Sequence, residues 1–226
     1  HIVALQYAHK PGTARGLNSY MAEICRKFPH KVSGMATVFP GENESERVLK
    51  EAFKMGLKGV KLHAHVQCFD MNRADMDPIY DLCSSEGKPI IIHAGREPNS
   101  PAYQCDPYVL CNAEKLERVI ENYPKLKICV PHLGVDEFLR YKQLIEKYNN
   151  LWLDTSMALA DYLPIRNPVK LEDMRLDRIM YGSDFQNIPY AWDREIKRIK
   201  QRKLSSEFMA QILGENAVDF FNITPR

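Results

Sequence analysis

The sequence predicts an α/β chain built as a (β/α)8 TIM barrel. Three observations carry this expectation. Short apolar runs alternate with amphipathic stretches along the whole chain. Several runs are nearly continuous in Ile, Val and Leu, as parallel strands buried on both faces are. Polar residues recur where the runs end: His9, His63, His65, His93, His132, Asp154 and Asp184.

The strand-like runs are "IVALQYAH" (2–9), "KVSGMATVFP" (31–40), "GVKLHAHV" (59–66), "KPIIIHAG" (88–95), "LKICVPHLG" (126–134), "LWLDTSM" (151–157) and "DRIMYGSDF" (177–185). No composition shift or flexible linker divides them, so residues 1–226 read as one domain. A doubly wound open sheet is the other way to arrange such units. It normally offers a glycine-rich phosphate loop after its first strand, and "YAHKPGTARG" has no G-x-G-x-x-G. A barrel places its active site at the C-terminal rim, where the polar residues fall. Seven units need an eighth, and the chain opens at His1 directly into a strand-like run. We therefore expect the first strand of the barrel to lie upstream of His1.

The helices carry punctuation. Asn43 and Glu46 have capping-box spacing, with Val48, Leu49, Ala52 and Phe53 following at helical period and Gly56 as a stop. Asp77-Pro78 reads as a helix start and Gly87 as its end. A third helix begins near Asn112, buries Leu116, Val119 and Ile120 and ends at Pro124. A fourth uses Phe138, Leu139, Leu144 and Ile145. Near the C-terminus, "EFMAQIL" is expected to stop at Gly214, and "ENAVDFF" begins a last short helix.

Composition bounds the function. Apolar residues make up 45 % of 226 residues, and 31 basic against 29 acidic side chains leave a formal charge of +2. There is no global charge argument for nucleic acid or an anionic membrane. No apolar run approaches the ~20 residues of a membrane span. The run "REIKRIKQRK" (194–203) holds six basic residues, and Ile196 and Ile199 make it the solvated outer helix of a barrel rather than a nucleic-acid contact. The six cysteines form no Cys-x-x-Cys and no disulfide framework, so reduced thiols and a cytoplasmic location are expected. Cys105 and Cys111 bracket a loop and leave open a pairing or a metal contact there.

The chemistry gathers on four strand ends. In "GVKLHAHVQ" (59–67), Lys61, His63 and His65 recur with period two, so on a strand they share a face. His93 ends "PIIIHAG", His132 ends "ICVPHLG", and Asp184 lies in "IMYGSDF". Two imidazoles and a carboxylate from different strands suit a divalent metal, zinc first, with manganese or iron as alternatives.

These motifs, with "LWLDTS" and the tail "ILGENAVDFFNI", resemble the amidohydrolase superfamily. The resemblance is to the amidohydrolase family 2 branch, which includes decarboxylases of the aminocarboxymuconate-semialdehyde type. It runs over essentially the whole chain in order. It implies a barrel with one or two divalent metals, held by a His-x-His on the first strand, a His on the fifth and an Asp on the eighth. By order, His93 matches the fifth-strand ligand, Asp184 the eighth-strand aspartate, and His132 the sixth-strand histidine, which is a ligand in binuclear members and otherwise an acid–base group. The "KLHAH" strand takes the fourth place and is not the family's His-x-His pair. His63 and His65 then read as substrate-facing, His65 in the loop beyond. Lys61 reads as a buried lysine paired with a carboxylate, or less typically as a carboxylated metal bridge. The first-strand pair itself is absent, because His1 and His9 cannot form it.

The expected activity is metal-dependent hydrolysis of a small amide, ester or lactone. His93, Asp184 and His132 would hold the metal, Asp184 would take the water proton, and His132 would stabilise the oxyanion. Tyr7, His9, His63, His65 and Arg96 would bind substrate. Non-oxidative decarboxylation of a small aromatic or muconate-like acid is the alternative on the same residues. A catalytically silent barrel used for binding is a third reading. A small-molecule substrate is the expected partner, with no nucleic acid and no membrane, and a homodimer is compatible with the sequence. The Pro-rich loop 95–108 directly after His93 reads as a lid or specificity element. Asp154 either orients a ligand histidine or caps the "TSM" turn. Trp152 and Trp192 read as packing or rim residues.

Overall fold

The computed structural model describes residues 1–162 and 170–224. Seven short parallel strands alternate with helices. The strands are β1 (Ile2–Ala4), β2 (Val32–Gly34), β3 (Val60–His63), β4 (Ile90–His93), β5 (Ile128–Val130), β6 (Leu151–Asp154) and β7 (Ile179–Met180). The helices are α1 (Ala14–Lys27), α2 (Ser45–Lys54), α3 (Asp77–Ser85), α4 (Pro107–Leu110), α5 (Ala113–Asn122), α6 (Phe138–Lys147), α7 (Arg194–Lys200), α8 (Ser206–Ala210) and α9 (Asn216–Phe221). Strands β3 to β7 form one sheet in sequence order, and β1 pairs with β2 in another. A single bridge, Ala36 against Val60, joins the two sheets. This is the strand order of a (β/α)8 barrel. Among the described residues β7 and β1 do not pair, so the barrel is not closed.

Period two separates two cores. On β4, β5 and β6, Ile90, Ile92, Ile128, Val130, Leu151 and Leu153 face outward and join the helices' apolar stripes in one cluster. Ile91, Cys129, Trp152 and Met180 face inward with Met35, Phe220, Phe221 and Ile223, so the C-terminal helix α9 fills the lower end of the barrel. Trp152 is therefore an inner packing residue, tilted against Phe220 at 5.3 Å, while Trp192 is exposed. One pleat above this apolar floor, the same inner face carries His63, His93 and Asp154.

Where the backbone ladder is thin, buried polar side chains replace it. The Gln67 amide donates to Ala8 O and Val38 O, both at 2.8 Å, and its oxygen accepts from His63 N–H at 2.8 Å. Asn18 and Thr37 exchange two hydrogen bonds at 2.8 and 2.9 Å. These links tie the ends of β1, β2 and β3 together.

Several local expectations are corrected. Asn43 does not cap α2; the helix is entered through Glu44, which has a positive φ and makes no side-chain cap. Asp77 lies inside α3 and accepts from the Tyr123 hydroxyl instead of capping. Leu139 is exposed, not buried. Gly214 does not end its helix. The chain passes through a wide π turn (Gln211–Glu215) into α9, held because the Asn216 amide donates to Leu176 O and Ile179 O. The largest correction concerns the cysteines: Cys68 and Cys105 form a disulfide, while Cys25, Cys83, Cys111 and Cys129 are free. The pair lies 37 residues apart on two loops, a closeness that spacing alone does not reveal. Asn112 does cap α5, accepting from Lys115 N–H at 3.1 Å. No helix among the described residues is long and apolar enough to cross a membrane.

Candidate metal and active site

The site is built from the ends of β3 to β6. Strands β3 and β4 pair in register with His63 opposite His93. Their rings stack at 4.0 Å with an interplanar angle of 9°. The chain turns just after β3 and brings His65 back, with its ring 4.6 Å from His63 and 5.2 Å from His93. One nitrogen from each of His63, His65 and His93 lies within 4.8 Å of the others. This is the potential metal-holding group among the described residues. Burial pushes the imidazolium forms down in two of the three. His63 falls well below its ordinary range through burial and then through the neighbouring His93. His93 falls to about 3, burial outweighing the help of Glu97. Neutral imidazoles are what a metal needs. A second sign of fit is the Nδ1 of His63, which is buried without a hydrogen-bond partner.

His132 stands beside this group, its ring 4.9 Å from that of His93. It opens four successive residues with positive φ, His132 at 58°, Leu133 at 51°, Gly134 at 85° and Val135 at 56°. Such a run persists only where neighbours hold it. The His132 N–H donates to Asp154 Oδ1 at 3.3 Å, and Asp136 N–H donates to Arg96 O at 3.1 Å. Gly134 and Gly95 explain the glycines after both histidines. A Cβ on Gly95 would lie 2.4 Å from Gly134 O, and one on Gly134 would lie 2.0 Å from the Tyr141 ring. The imidazole of His132 is set by Ser156, whose carbonyl lies 2.8 Å from Nδ1. A carbonyl only accepts, so Nδ1 carries the proton and Nε2 is left for chemistry. The Ser156 hydroxyl in turn donates to Asp154 Oδ1. Asp154 thus both orients the histidine and caps the turn.

The other expected residues are distributed unevenly. Tyr7 packs edge-on to His63 at 5.0 Å. Its phenol is raised by burial and by the charge of Asp184, which places that carboxylate on the same side of the site. Asp184 is half-buried, has a φ of 53° and accepts from the Asn187 amide at 3.2 Å. Asp184 and His132 lie outside the three-histidine group. His9 is exposed in the loop after β1. Arg96 is engaged rather than presented, its Nε 3.3 Å from Glu137 and its guanidinium over the Tyr108 ring. Lys61 lies inside the barrel below the histidines and makes no ion pair among the described residues. Burial lowers its amine, and Asp154 and Asp184 partly offset that.

Sequence reasoning missed Glu97 and Tyr103, and read Cys111 only as a partner of Cys105 in a pairing or a metal contact. Glu97 Oε1 is 2.9 Å from His65 Nε2, and Oε2 is 3.2 Å from His93 Nε2. Burial alone would raise this carboxyl, but the bonds from His65 and His93 outweigh it and hold it well below the usual range. The Tyr103 ring covers His65 at 4.6 Å. Cys111 Sγ lies 3.6 Å from His65 Nδ1. Glu97 and Tyr103 belong to a loop with no periodicity to read. The one available signal is that Glu97 follows His93 by four residues.

The comparisons with known proteins agree with this fold. The amidohydrolase family model Amidohydro_2 matches residues 2–223, and the chain belongs to that family. A TIM-barrel protein of Bordetella bronchiseptica is similar at a TM-score of 0.75 and 18 % identity, over 91 % of this chain and 72 % of that one. The manganese complex of 5-carboxyvanillate decarboxylase from Novosphingobium aromaticivorans is similar at 0.68 and 22 % identity, over 93 % and 70 %. The 4-oxalomesaconate hydratase of Rhodopseudomonas palustris is similar at 0.66 and 18 % identity, over 92 % and 70 %.

Proposed function

We propose that the protein is a metal-dependent enzyme that decarboxylates a small carboxylic acid without an oxidant. The observation that carries this reading is the convergence of His63, His65 and His93 at the mouth of the barrel, beside His132 and above Lys61. Similarity to a decarboxylase and a hydratase supports a lyase over the hydrolase expected from sequence. A divalent ion held by the three histidines, zinc, manganese or iron, would supply a Lewis acid for the substrate's oxygen atoms.

The chain's own residues supply the rest. The reaction replaces a carbon–carboxylate bond by carbon–hydrogen, releasing carbon dioxide and consuming one proton. His132, with its Nδ1 proton committed to Ser156 O, offers Nε2 to carry that proton. Asp184 is the second proton-handling group. Lys61 supplies a positive field under the substrate carboxylate. Tyr7 and His63 form the wall against which a flat acid packs. Hydrolysis of an amide, ester or lactone is the second reading, favoured by membership in the amidohydrolase family itself. There Asp184 takes the proton of the attacking water.

The test loads purified full-length protein with zinc or manganese and presents aromatic and unsaturated carboxylic acids, amides and lactones. Carbon dioxide release that disappears in H132A, together with metal loss in H93A by elemental analysis, is the expected outcome. Acid release from amides or lactones without carbon dioxide would replace decarboxylation by hydrolysis. Bound metal with neither reaction would leave a binding barrel.

A further inference from the structure

Among the described residues, the register between β4 and β5 stops below the site. Its last pair is Ile91 opposite Cys129, so His93 and His132 lie beyond the ladder. Strand ends past the last pair open most readily. The two rings are nevertheless held 4.9 Å apart.

A clasp between the loops that follow takes the ladder's place. Both histidines begin a His-x-Gly, ending at Gly95 and at Gly134. There the two backbones pass so closely that Gly95 has no room for a Cβ against Gly134 O. One residue on, Arg96 is gripped from both sides. Its N–H donates to Glu137 Oε2 at 3.0 Å, and its carbonyl accepts from Asp136 N–H at 3.1 Å. The Glu137 carboxylate also accepts from Ala113 N–H, at 3.1 Å to Oε2 and 3.3 Å to Oε1. Ala113 is the first residue of α5, where N–H groups have no partner within the helix and favour a negative charge. Oε1 lies 3.3 Å from Arg96 Nε as well, and the Glu137 side chain is only 7 % exposed. One buried carboxylate thus joins the loop after β4, the turn after β5 and the start of α5. Removing it leaves buried donors unpaired.

We infer that Glu137 is a positioning residue, which pins the turn carrying His132 to the loop that follows His93 and so sets the distance between the two imidazoles. The inference rests on the reading above, in which His93 holds the ion and His132 carries the proton. It adds the group that keeps the two in step, on a residue that touches neither. It also gives Arg96 a place. Expected from sequence to bind substrate, Arg96 serves the clasp through its backbone, and its guanidinium flanks the carboxylate that holds it.

The experiment measures the spacing itself. Full-length protein labelled at histidine is compared by NMR as wild type, E137Q, E137D and E137A, with H93N and H132N to assign the rings. Each is also titrated with Zn(II) alone, and thermal melts establish that each folds. Wild type is expected to show cross-relaxation between the ring protons of His93 and His132. E137A is expected to lose that peak and to bind Zn(II) about tenfold more weakly. E137Q, whose amide oxygen still accepts from the Arg96 and Ala113 N–H groups, is expected to keep the peak and most of the affinity. E137D keeps the charge but is one methylene short of both donors, and it carries the same test should E137A not fold. A lower melting temperature in E137A or E137D with peak and affinity unchanged would reduce Glu137 to a stabilising contact and overturn the inference. Absence of the peak in wild type would overturn it too. If wild type binds no Zn(II) and E137A still loses the peak, the clasp stands and the metal reading falls.

Discussion

Glu195 shows how one buried residue sets a pH dependence. It is fully buried, and both oxygens accept from Leu159 N–H at 3.2 Å. Burial raises its carboxyl from an ordinary 4.5 to about 7. The folded chain then binds a proton that the unfolded chain has released, so stability falls as pH rises from about 4.5 to about 7. The loss is on the order of 3 kcal/mol. E195Q is expected to flatten that slope. Urea melts at pH 5, 6, 7 and 8 should show wild type ahead at pH 5 and the advantage gone by pH 8, whereas parallel curves would refute the assignment. Nothing in "REIKRIKQRK" announces this. The sequence reading placed Ile196 and Ile199 on the inner side, yet Glu195 is buried with Ile199 while Ile196 is only half-buried. At the same scale, His93 was legible because it ends an apolar strand. Glu97 was not, because its position depends on a loop fold and a cross-link that no local pattern encodes.

Elements were legible where one physical rule acted alone. All seven apolar runs contain a strand, but the ladders are shorter than the runs, as in Ile179–Met180 within 177–185. The ends of the runs leave the sheet to carry chemistry. Helix α5 has its expected cap, since Asn112 needs only its own backbone to satisfy Lys115 N–H. The stop at Gly214 failed because Asn216 captures two carbonyls from a different part of the chain. The turn after β5 is the sharpest test of element packing. Gly134 has φ 85° and sits against the Tyr141 ring. G134A should cost about 4 kcal/mol from clash and left-handed backbone together. A thermal melt should show it, and the metal affinity should fall as His132 and the neighbouring Gly95 turn shift. A variant as stable as wild type would mean that α6 moves aside at little cost.

At the scale of the whole molecule, the barrel order was readable from alternation, from the apolar continuity of the runs and from the polar residues at their ends. The way its two sheets meet has a consequence for how the protein opens. Strands β3 and β4 share four register pairs, whereas the β2 and β3 segments meet at one bridge with three backbone hydrogen bonds (Lys58 N–H to Gly34 O, Ala36 N–H to Gly59 O and Lys61 N–H to Ala36 O), supported by Gln67, Asn18 and Thr37. Stability is not uniform across a structure, and thinly joined units open first. Amide hydrogen exchange should therefore divide the chain into two cooperative units: residues 2–36 losing protection early, and β3 to β6 holding it until global unfolding. Uniform protection across both would show that the side-chain links equal a full ladder. If the division holds, the amino-terminal unit is the part of this protein a protease reaches first, and the histidine-bearing sheet would persist as a protected fragment after it is gone.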